Sequence, residues 1–376
     1  MLFHKKQYYI KVCNFLTKGK ACNYHLKETH DGLEGVTLAK TVKIVIVGFG
    51  NMGRSLARML LEKAKYIQSK HSLTIVITGI IEVDYVLIDS SEKGLDLEEI
   101  LSLKKLELIN RSSNLAFEEV LDKLSFDIVV ELTPSTENGH PGLEHIQKAF
   151  ENKKHVVTSN KSPLVLKYPE LKALADQNDR EFRFEATVGG VIPLFTTVQS
   201  GLSANEILRI EGILNGTTNY ILTRMSEGTT YSEAIDDAKK LGFCETNPHD
   251  DISGLDAARK LVIIADVLLD SNLTLDEVKI QGIDKITDAQ IIESHLHNQV
   301  IKHIASIEIN NDGIQGSVKP RSINLSNPLA HVNGIMNAIH VFTKFAGEIT
   351  LFGIGAGPKE VATILLSDII SVGLKA

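Results

Sequence analysis

The stretch 241–260 reads LGFCETNPHDDISGLDAARK, and it concentrates groups that can do chemistry on a small molecule. Glu245, Asp250, Asp251 and Asp256 supply carboxylates, and Lys260 follows Asp256 by four residues. Glycine, proline and aspartate in GFCETNPHDDISG rule out a long helix or strand, so that part reads as a loop. The following LDAARKLVIIADVLL has helical composition, which puts Asp256 and Lys260 on one helix face. Two readings stay open on these residues alone. One is a solvated acidic loop beside an ordinary surface ion pair. The other is a grip for a small cationic substrate, with a lysine to give or take a proton.

A site of that kind needs elements to hold it. VKIVIVG (42–48) is a β-branched run, the mark of a strand buried on both faces. It leads directly into Gly48-Phe49-Gly50-Asn51-Met52-Gly53, and RSLARMLLEKAKYI (54–67) continues with helical periodicity. G-x-G-x-x-G between a strand and a helix is the dinucleotide-binding arrangement. Gly48 permits the tight turn, Gly50 lets a pyrophosphate reach the backbone, and Gly53 lets helix and strand pack closely. Free N–H groups at the helix start then face the phosphates. Glu82, after the second strand LTIVITGII (73–81), is placed to take ribose hydroxyls and to repel a 2′-phosphate. With no Lys or Arg from there until Lys93, NAD is favoured mildly over NADP.

Helical and strand segments continue to alternate to about residue 161, which predicts a doubly wound parallel sheet of Rossmann type. Thr133 and Ser135 follow one strand, FDIVVELTP, and Lys161 ends another, KHVVTSNK, so all three should face the cofactor crevice. A plain surface lysine is the other reading of Lys161. Residues 182–192 give a strand and a Gly-Gly turn. Gly216, Thr217 and Thr218 make a hydroxyl-bearing turn before a helix, suited to a substrate or simply to an N-cap by threonine. TYSEAIDDAKKLG (230–242) reads as a helix capped by Ser232 and delivers the chain to the acidic loop. IKHIASIEIN (301–310) alternates as a strand and pairs with 313–323, which predicts an α+β second domain with a mostly antiparallel sheet. The glycine-rich turn and helix within 348–373 return to the first domain. The division expected is an N-terminal extension over 1–40, a nucleotide-binding domain over 41–180 and 343–376, and a catalytic and dimerisation domain over 181–342.

Composition sets the class. The 376 residues suffice for two domains, and 43% hydrophobic with 23% charged residues is a globular balance. A net charge of -7 argues against nucleic acid as a partner. No apolar run reaches the roughly 20 residues that span a bilayer. Three scattered cysteines give no disulfide framework, so a soluble cytoplasmic protein is expected. Residues 1–40 hold seven lysines, no arginine and no clear period, and read as a poorly ordered extension. Cys13, Cys22, His25 and His30 within them fit no metal-finger spacing well.

From about residue 42 to the end the chain resembles homoserine dehydrogenase. The resemblance rests on GILNGTTNYILTRM, the 241–260 block, VVTSNK and the closing GIGAG. It implies interconversion of L-homoserine and L-aspartate 4-semialdehyde with NAD or NADP, in threonine, isoleucine and methionine biosynthesis. It implies that Lys260 is the proton donor and that Lys161 is a second lysine at the reacting carbon. Glu245 and Asp256 would hold the substrate with Asp251 and Thr217 nearby, and Gly242 and Gly357 would contact the cofactor. Glu185, Val188, Gly190 and Ile192 match positions that offer oxygens, largely backbone carbonyls, to a sodium ion. A homodimer through the 301–325 strands is implied as well. Many members carry a regulatory domain after the catalytic part or a fused kinase before it; with neither pattern here, threonine feedback through such a domain is not expected.

The chemistry stands independently of the resemblance. Hydride attack on an aldehyde builds charge on oxygen, which must be stabilised and then protonated. Two ammonium groups brought together disfavour each other's charge, and Asp256 would offset that repulsion. Two rival readings remain: a different semialdehyde or sugar dehydrogenase, with Cys244 as a nucleophile in its thiol version, and a nicotinamide-binding regulator without catalysis.

Overall fold

β1 (Lys40–Val47) carries the β-branched run, and its residues from Ile44 onward are buried. In the computed structural model, residues 24–25, 37–91, 93–113, 115–244, 248–310 and 313–375 are described. β1 pairs in parallel with β2 (Leu73–Ile81) on one side and β4 (Ile128–Glu131) on the other. β5 (His155–Thr158) and β6 (Phe182–Arg183) extend the sheet in parallel beyond β4. β3 (Val86–Ile88) closes the far edge, giving the order β3-β2-β1-β4-β5-β6. It runs antiparallel to β2, so the expected parallel sheet has one reversed edge strand. A short connection explains it: only a tight turn separates β2 from β3, and a parallel partner would need a crossover of a dozen residues or more.

Three helices that follow strands of this sheet matter to the site. α1 (Asn51–His71) follows β1 across the glycine loop. α2 (Gly142–Glu151) connects β4 to β5. α3 (Lys161–Gln177) follows β5, so VVTSNK is a strand only to Thr158 and Lys161 is the first residue of a helix. Asn160 caps that helix by accepting from the Ser162 N–H at 3.2 Å.

The second sheet has the order β8-β10-β9-β7-β11-β12, from β7 (Ile207–Ile213), β8 (Lys279–Ile280), β9 (Gln299–Asn310), β10 (Gly313–Asn324), β11 (Met336–Thr343) and β12 (Glu348–Ile354). All its pairings are antiparallel except β8 with β10. The expected pairing of 301–310 with 313–323 is the β9–β10 hairpin. β12 lies in this sheet and not with the nucleotide-binding strands. The crossing back from the second domain therefore falls near residue 355, not at 343. α7 (Pro358–Lys375) does cover the first sheet, packing on α1, with Gly373 against Val42 and Leu73.

α4 (Gly216–Ser226) begins one residue beyond Asn215, and α5 (Tyr231–Lys240) precedes the acidic loop. The expected cap at Ser232 is corrected: Thr230 caps α5 in a capping box with Glu233, whose carboxylate returns to the Thr230 N–H at 3.0 Å. T-x-x-E satisfies two N–H groups at once, which a serine one turn inside cannot do. α6 (Leu255–Leu269) packs against α3 on one side and the β9–β10 hairpin on the other, so it sits at the junction of the two domains. Burial on nearly every face accounts for its apolar LVIIADVLL half, which only Asp266 interrupts.

The expectation for 1–40 falls almost entirely outside the described residues; within that stretch Tyr24–His25 pairs antiparallel with Thr37–Leu38. Among the described residues no helix is long and apolar enough to cross a membrane.

Candidate active site

Two adjoining clefts share Met52. The first, of about 580 Å³, opens at the carboxyl ends of β1, β2 and β4 and is lined by Gly48, Gly50, Asn51, Glu82 and Thr133. Gly48 has φ +95°, and a Cβ there would lie 2.8 Å from the Leu132 backbone. A Cβ on Gly53 would lie 2.6 Å from the Gly48 carbonyl, while one on Gly50 would meet nothing within 4 Å. The first and third glycines are therefore required by packing, and the second leaves open space in front of the helix. α1 starts there with no side-chain cap and no acid in its first turn, which leaves its N–H groups for an anion. Phe49 is the exception within the loop: its ring is 2% exposed and belongs to the core, so only its main chain is part of the cradle.

Glu82 is fixed at the cleft mouth, where Oε1 accepts from the Phe49 N–H at 2.8 Å. Arg54 stands close by: burial and then the Glu82 charge push the Tyr85 hydroxyl up, and the Arg54 charge draws it down. Sequence order concealed this cation, because it arrives from α1 and not from the residues after β2.

Beneath the crevice lies a buried network that the sequence did not reveal. Glu131, fully buried at the end of β4, accepts from the Thr133 N–H at 2.8 Å, from the Thr133 hydroxyl, and from His145 Nδ1 at 2.8 Å. Ser135 donates to Asn160 Oδ1 at 2.9 Å and accepts from the Lys161 N–H at 3.2 Å. Thr133, Ser135 and the start of α3 are thus tied to one buried carboxylate system. The only sequence signal was polar residues closing two otherwise apolar strands.

The second cleft, of about 1050 Å³, lies between the domains. Lys161 from α3 and Lys260 from α6 meet there at one carboxylate. Asp256 Oδ2 is 2.6 Å from Lys260 Nζ, and Oδ1 is 3.6 Å from Lys161 Nζ. Burial alone would push the Asp256 carboxyl up. The charges of Lys260 and Lys161, with hydrogen bonds from Lys260 and Asn215, outweigh it and hold the group well below the usual carboxylate range. Lys260, 9% exposed, also donates to the Leu214 carbonyl at 2.7 Å. Asn215 Nδ2 donates to Asp251 at 2.6 Å and to Asp256 at 3.0 Å, while its Oδ1 caps α4 at the Thr218 N–H. The helix cap is therefore Asn215, not a threonine, and Asp251 bears on Asp256 through it.

Thr217 lines this cleft, and its hydroxyl donates to the Phe243 carbonyl at 3.0 Å, which tethers the acidic loop. Gly242, Cys244, Gly355 and Gly357 line it as well. Glu245 lies outside the described residues. A carboxylate-bridged lysine pair beside an uncapped helix start can hold a small polar molecule and exchange a proton with it.

The carbonyl knot is built at 185–192. Gly189 and Gly190 have φ +76° and +61°, and the Val191 N–H donates to the Ile354 carbonyl at 3.1 Å. The Glu185 carboxylate is committed elsewhere, accepting from the Phe195 N–H at 2.7 Å and the Thr196 N–H at 2.9 Å. Main-chain oxygens of Glu185, Val188, Gly190 and Ile192 are the other oxygens here, a hard set suited to an alkali cation, although those of Glu185 and Ile192 already accept from the Val188 N–H at 3.5 Å and the Leu194 N–H at 2.8 Å and have one lone pair left each. Asp368 is buried alongside, accepting from the Glu185 N–H at 3.2 Å; burial and then the Glu185 charge push its carboxyl up to about 7. Two neighbouring buried carboxyls make an environment that a cation would relieve. Among the described residues no cluster of His, Cys, Asp and Glu could hold a metal ion.

Comparison with known proteins gives one answer. The family model for homoserine dehydrogenase matches residues 193–370, and that for the homoserine dehydrogenase NAD binding domain matches 48–185. A homoserine dehydrogenase of Methanocaldococcus jannaschii is 39% identical over 88% of this chain and 98% of its own length. An NAD(+)-dependent homoserine dehydrogenase of Pseudomonas canavaninivorans is 34% identical over 88% of this chain and 96% of its own. The crystal structure of a homoserine dehydrogenase from Thermoplasma acidophilum superposes with a TM-score of 0.76 at 27% identity, over 88% of this chain and 99% of that one.

Proposed function

The chain belongs to the homoserine dehydrogenase family, a family of NAD-binding oxidoreductases, and from that premise we propose a residue-level account of the reaction. The substrates are L-homoserine and L-aspartate 4-semialdehyde, and the step serves threonine, isoleucine and methionine biosynthesis. A nicotinamide bound at the glycine loop would supply or accept the hydride. In the reducing direction the aldehyde oxygen gains negative charge as its carbon gains hydride. Lys260 then gives that oxygen a proton from Nζ; in the oxidising direction it takes the proton back. Lys161 adds positive field at the same oxygen and helps place it. Asp256 keeps two ammonium groups together at one spot, and Asn215 and Asp251 hold Asp256. Glu245 and the acids around it suit the substrate ammonium.

The observation that supports this best is the meeting of Lys161, Asp256 and Lys260 from separate domains within hydrogen-bonding or ion-pair reach. Glu82 at the cleft mouth favours NAD over NADP, because a carboxylate repels a 2′-phosphate. The test is homoserine-dependent reduction of the two cofactors. Turnover with NAD as the better substrate by kcat/KM is expected, no turnover with either cofactor would reject the activity, and a large NADP advantage would reject the preference.

Three further features belong to the same proposal. The carbonyls of Glu185, Val188, Gly190 and Ile192 take a sodium ion, which should raise Tm above that in potassium; equal Tm in both salts speaks against it. The open face of the second sheet, where Arg209, Arg321, His340 and Phe342 line a hollow of about 400 Å³, joins two copies into a homodimer. A monomer in sedimentation at micromolar concentration would count against that. The enzyme works in the cytoplasm, and recovery in a membrane or secreted fraction would contradict this.

A further inference from the structure

We infer that Asn337 is a positioning residue for this reaction, fixing the Leu214 carbonyl that holds the Lys260 ammonium. Asn337 is the second residue of β11 and is fully buried. Its Nδ2 donates to the Leu214 carbonyl at 3.0 Å, and Lys260 Nζ donates to the same oxygen at 2.7 Å. A carbonyl oxygen has two lone pairs, so it can serve both donors, and being held from two sides fixes it. An ammonium has three N–H bonds. One goes to Asp256 and one to Leu214, which leaves the third for the cleft.

The other end of the Asn337 carboxamide explains why asparagine stands there. Its Oδ1 is buried and has no hydrogen-bond partner among the described residues. Turning the amide over would set that oxygen against the Leu214 carbonyl, so the single donation decides its orientation. A half-paired buried amide costs more than an apolar side chain of the same shape, and the cost needs a reason. The donation to Leu214 supplies one. The amide also rests on Gly355 of the tail turn, where any Cβ would overlap its Cγ, Oδ1 and Nδ2. Gly355 lines the cleft. Asn337 therefore couples the glycine turn at the cofactor side to the lysine at the substrate side, across residues 214, 260, 337 and 355.

The inference rests on Lys260 as proton donor, and its test separates the two. Asn337→Ala, Asn337→Asp, Gly355→Ala and Lys260→Met are compared for kcat, KM for homoserine, NAD affinity, Tm and the pH profile of homoserine oxidation. Asn337→Ala should lose about 10- to 100-fold in kcat, as a misplaced reacting group does, with KM and NAD affinity within about twofold, and Gly355→Ala should lose kcat as well. Asn337→Asp keeps the size but removes the N–H that holds the Leu214 carbonyl, so it tests the same donation where Gly355→Ala fails to fold. A carboxylate there favours the charged ammonium and should move the acid limb to higher pH by roughly one unit. Wild-type kcat and pH profile in the Asn337 variants while Lys260→Met is inactive would overturn the role of Asn337 alone. Near-wild-type kcat in Lys260→Met would overturn the reading beneath it, and a fall in kcat matched by a rise in KM would mark general damage and overturn the positioning role.

Discussion

At the scale of single residues, the site has one carboxylate between two lysines. The i,i+4 spacing of Asp256 and Lys260 was legible because it is local: a helix places such pairs together whatever surrounds them. Asn215, Leu214 and Asn337 were not legible, since their contacts to Asp256 and Lys260 span 41, 46 and, for Asn337 to Leu214, 123 positions of sequence. Replacing Asp256 by asparagine keeps its size and removes the charge that both ammoniums share. Asp256→Asn should lower kcat/KM for homoserine about 100-fold or more and leave NAD affinity nearly unchanged, since breaking a buried pair strands its partner. Steady-state kinetics with NAD titration checks this; a loss confined to NAD affinity would place Asp256 in the wrong half of the site.

At the scale of elements, strand and helix identities followed from periodicity, and errors gathered at ends and edges. The cap expected at Ser232 falls two residues inside the T-x-x-E box that begins at Thr230. The expected division puts β12 with the first domain because its continuity with α7 is visible in the sequence and its pairing with β11 is not. Such pairings are set by tertiary contacts that a one-dimensional pattern does not contain. One element-level feature was wholly hidden. Lys302, buried in β9, donates to Asn219 at 3.2 Å, to the Val332 carbonyl at 2.5 Å and to Asn333 at 2.9 Å, and so ties α4 to the connection before β11. Burial pushes its ammonium down from 10.5 to about 8. Between those values the unfolded chain binds more protons than the folded one, so this lysine's contribution to stability rises with pH. Thermal melts of wild type and Lys302→Met should therefore diverge in favour of wild type from pH 8 to 10, by roughly 3 kcal/mol at most. A constant difference across that range would show that Lys302 titrates normally.

At the scale of the whole molecule, two domains complete one site. The first contributes a glycine loop, an uncapped helix start and Lys161; the second contributes the acidic loop, Asp256 and Lys260. Their order along the chain was readable, and so was the dinucleotide half, because its strand-loop-helix is contiguous. The meeting across the domain boundary was not, since nothing local in VVTSNK or LDAARK states that their lysines share a carboxylate. In the proposed reaction this meeting moves a proton as hydride is transferred. The direct measurement is single-turnover and steady-state oxidation of homoserine by Lys260→Met, with NAD affinity measured separately. The predicted result is a fall in kcat of about 10²- to 10⁴-fold, the usual worth of a positioned acid or base, with NAD affinity close to wild type. Near-normal kcat in that variant would contradict it.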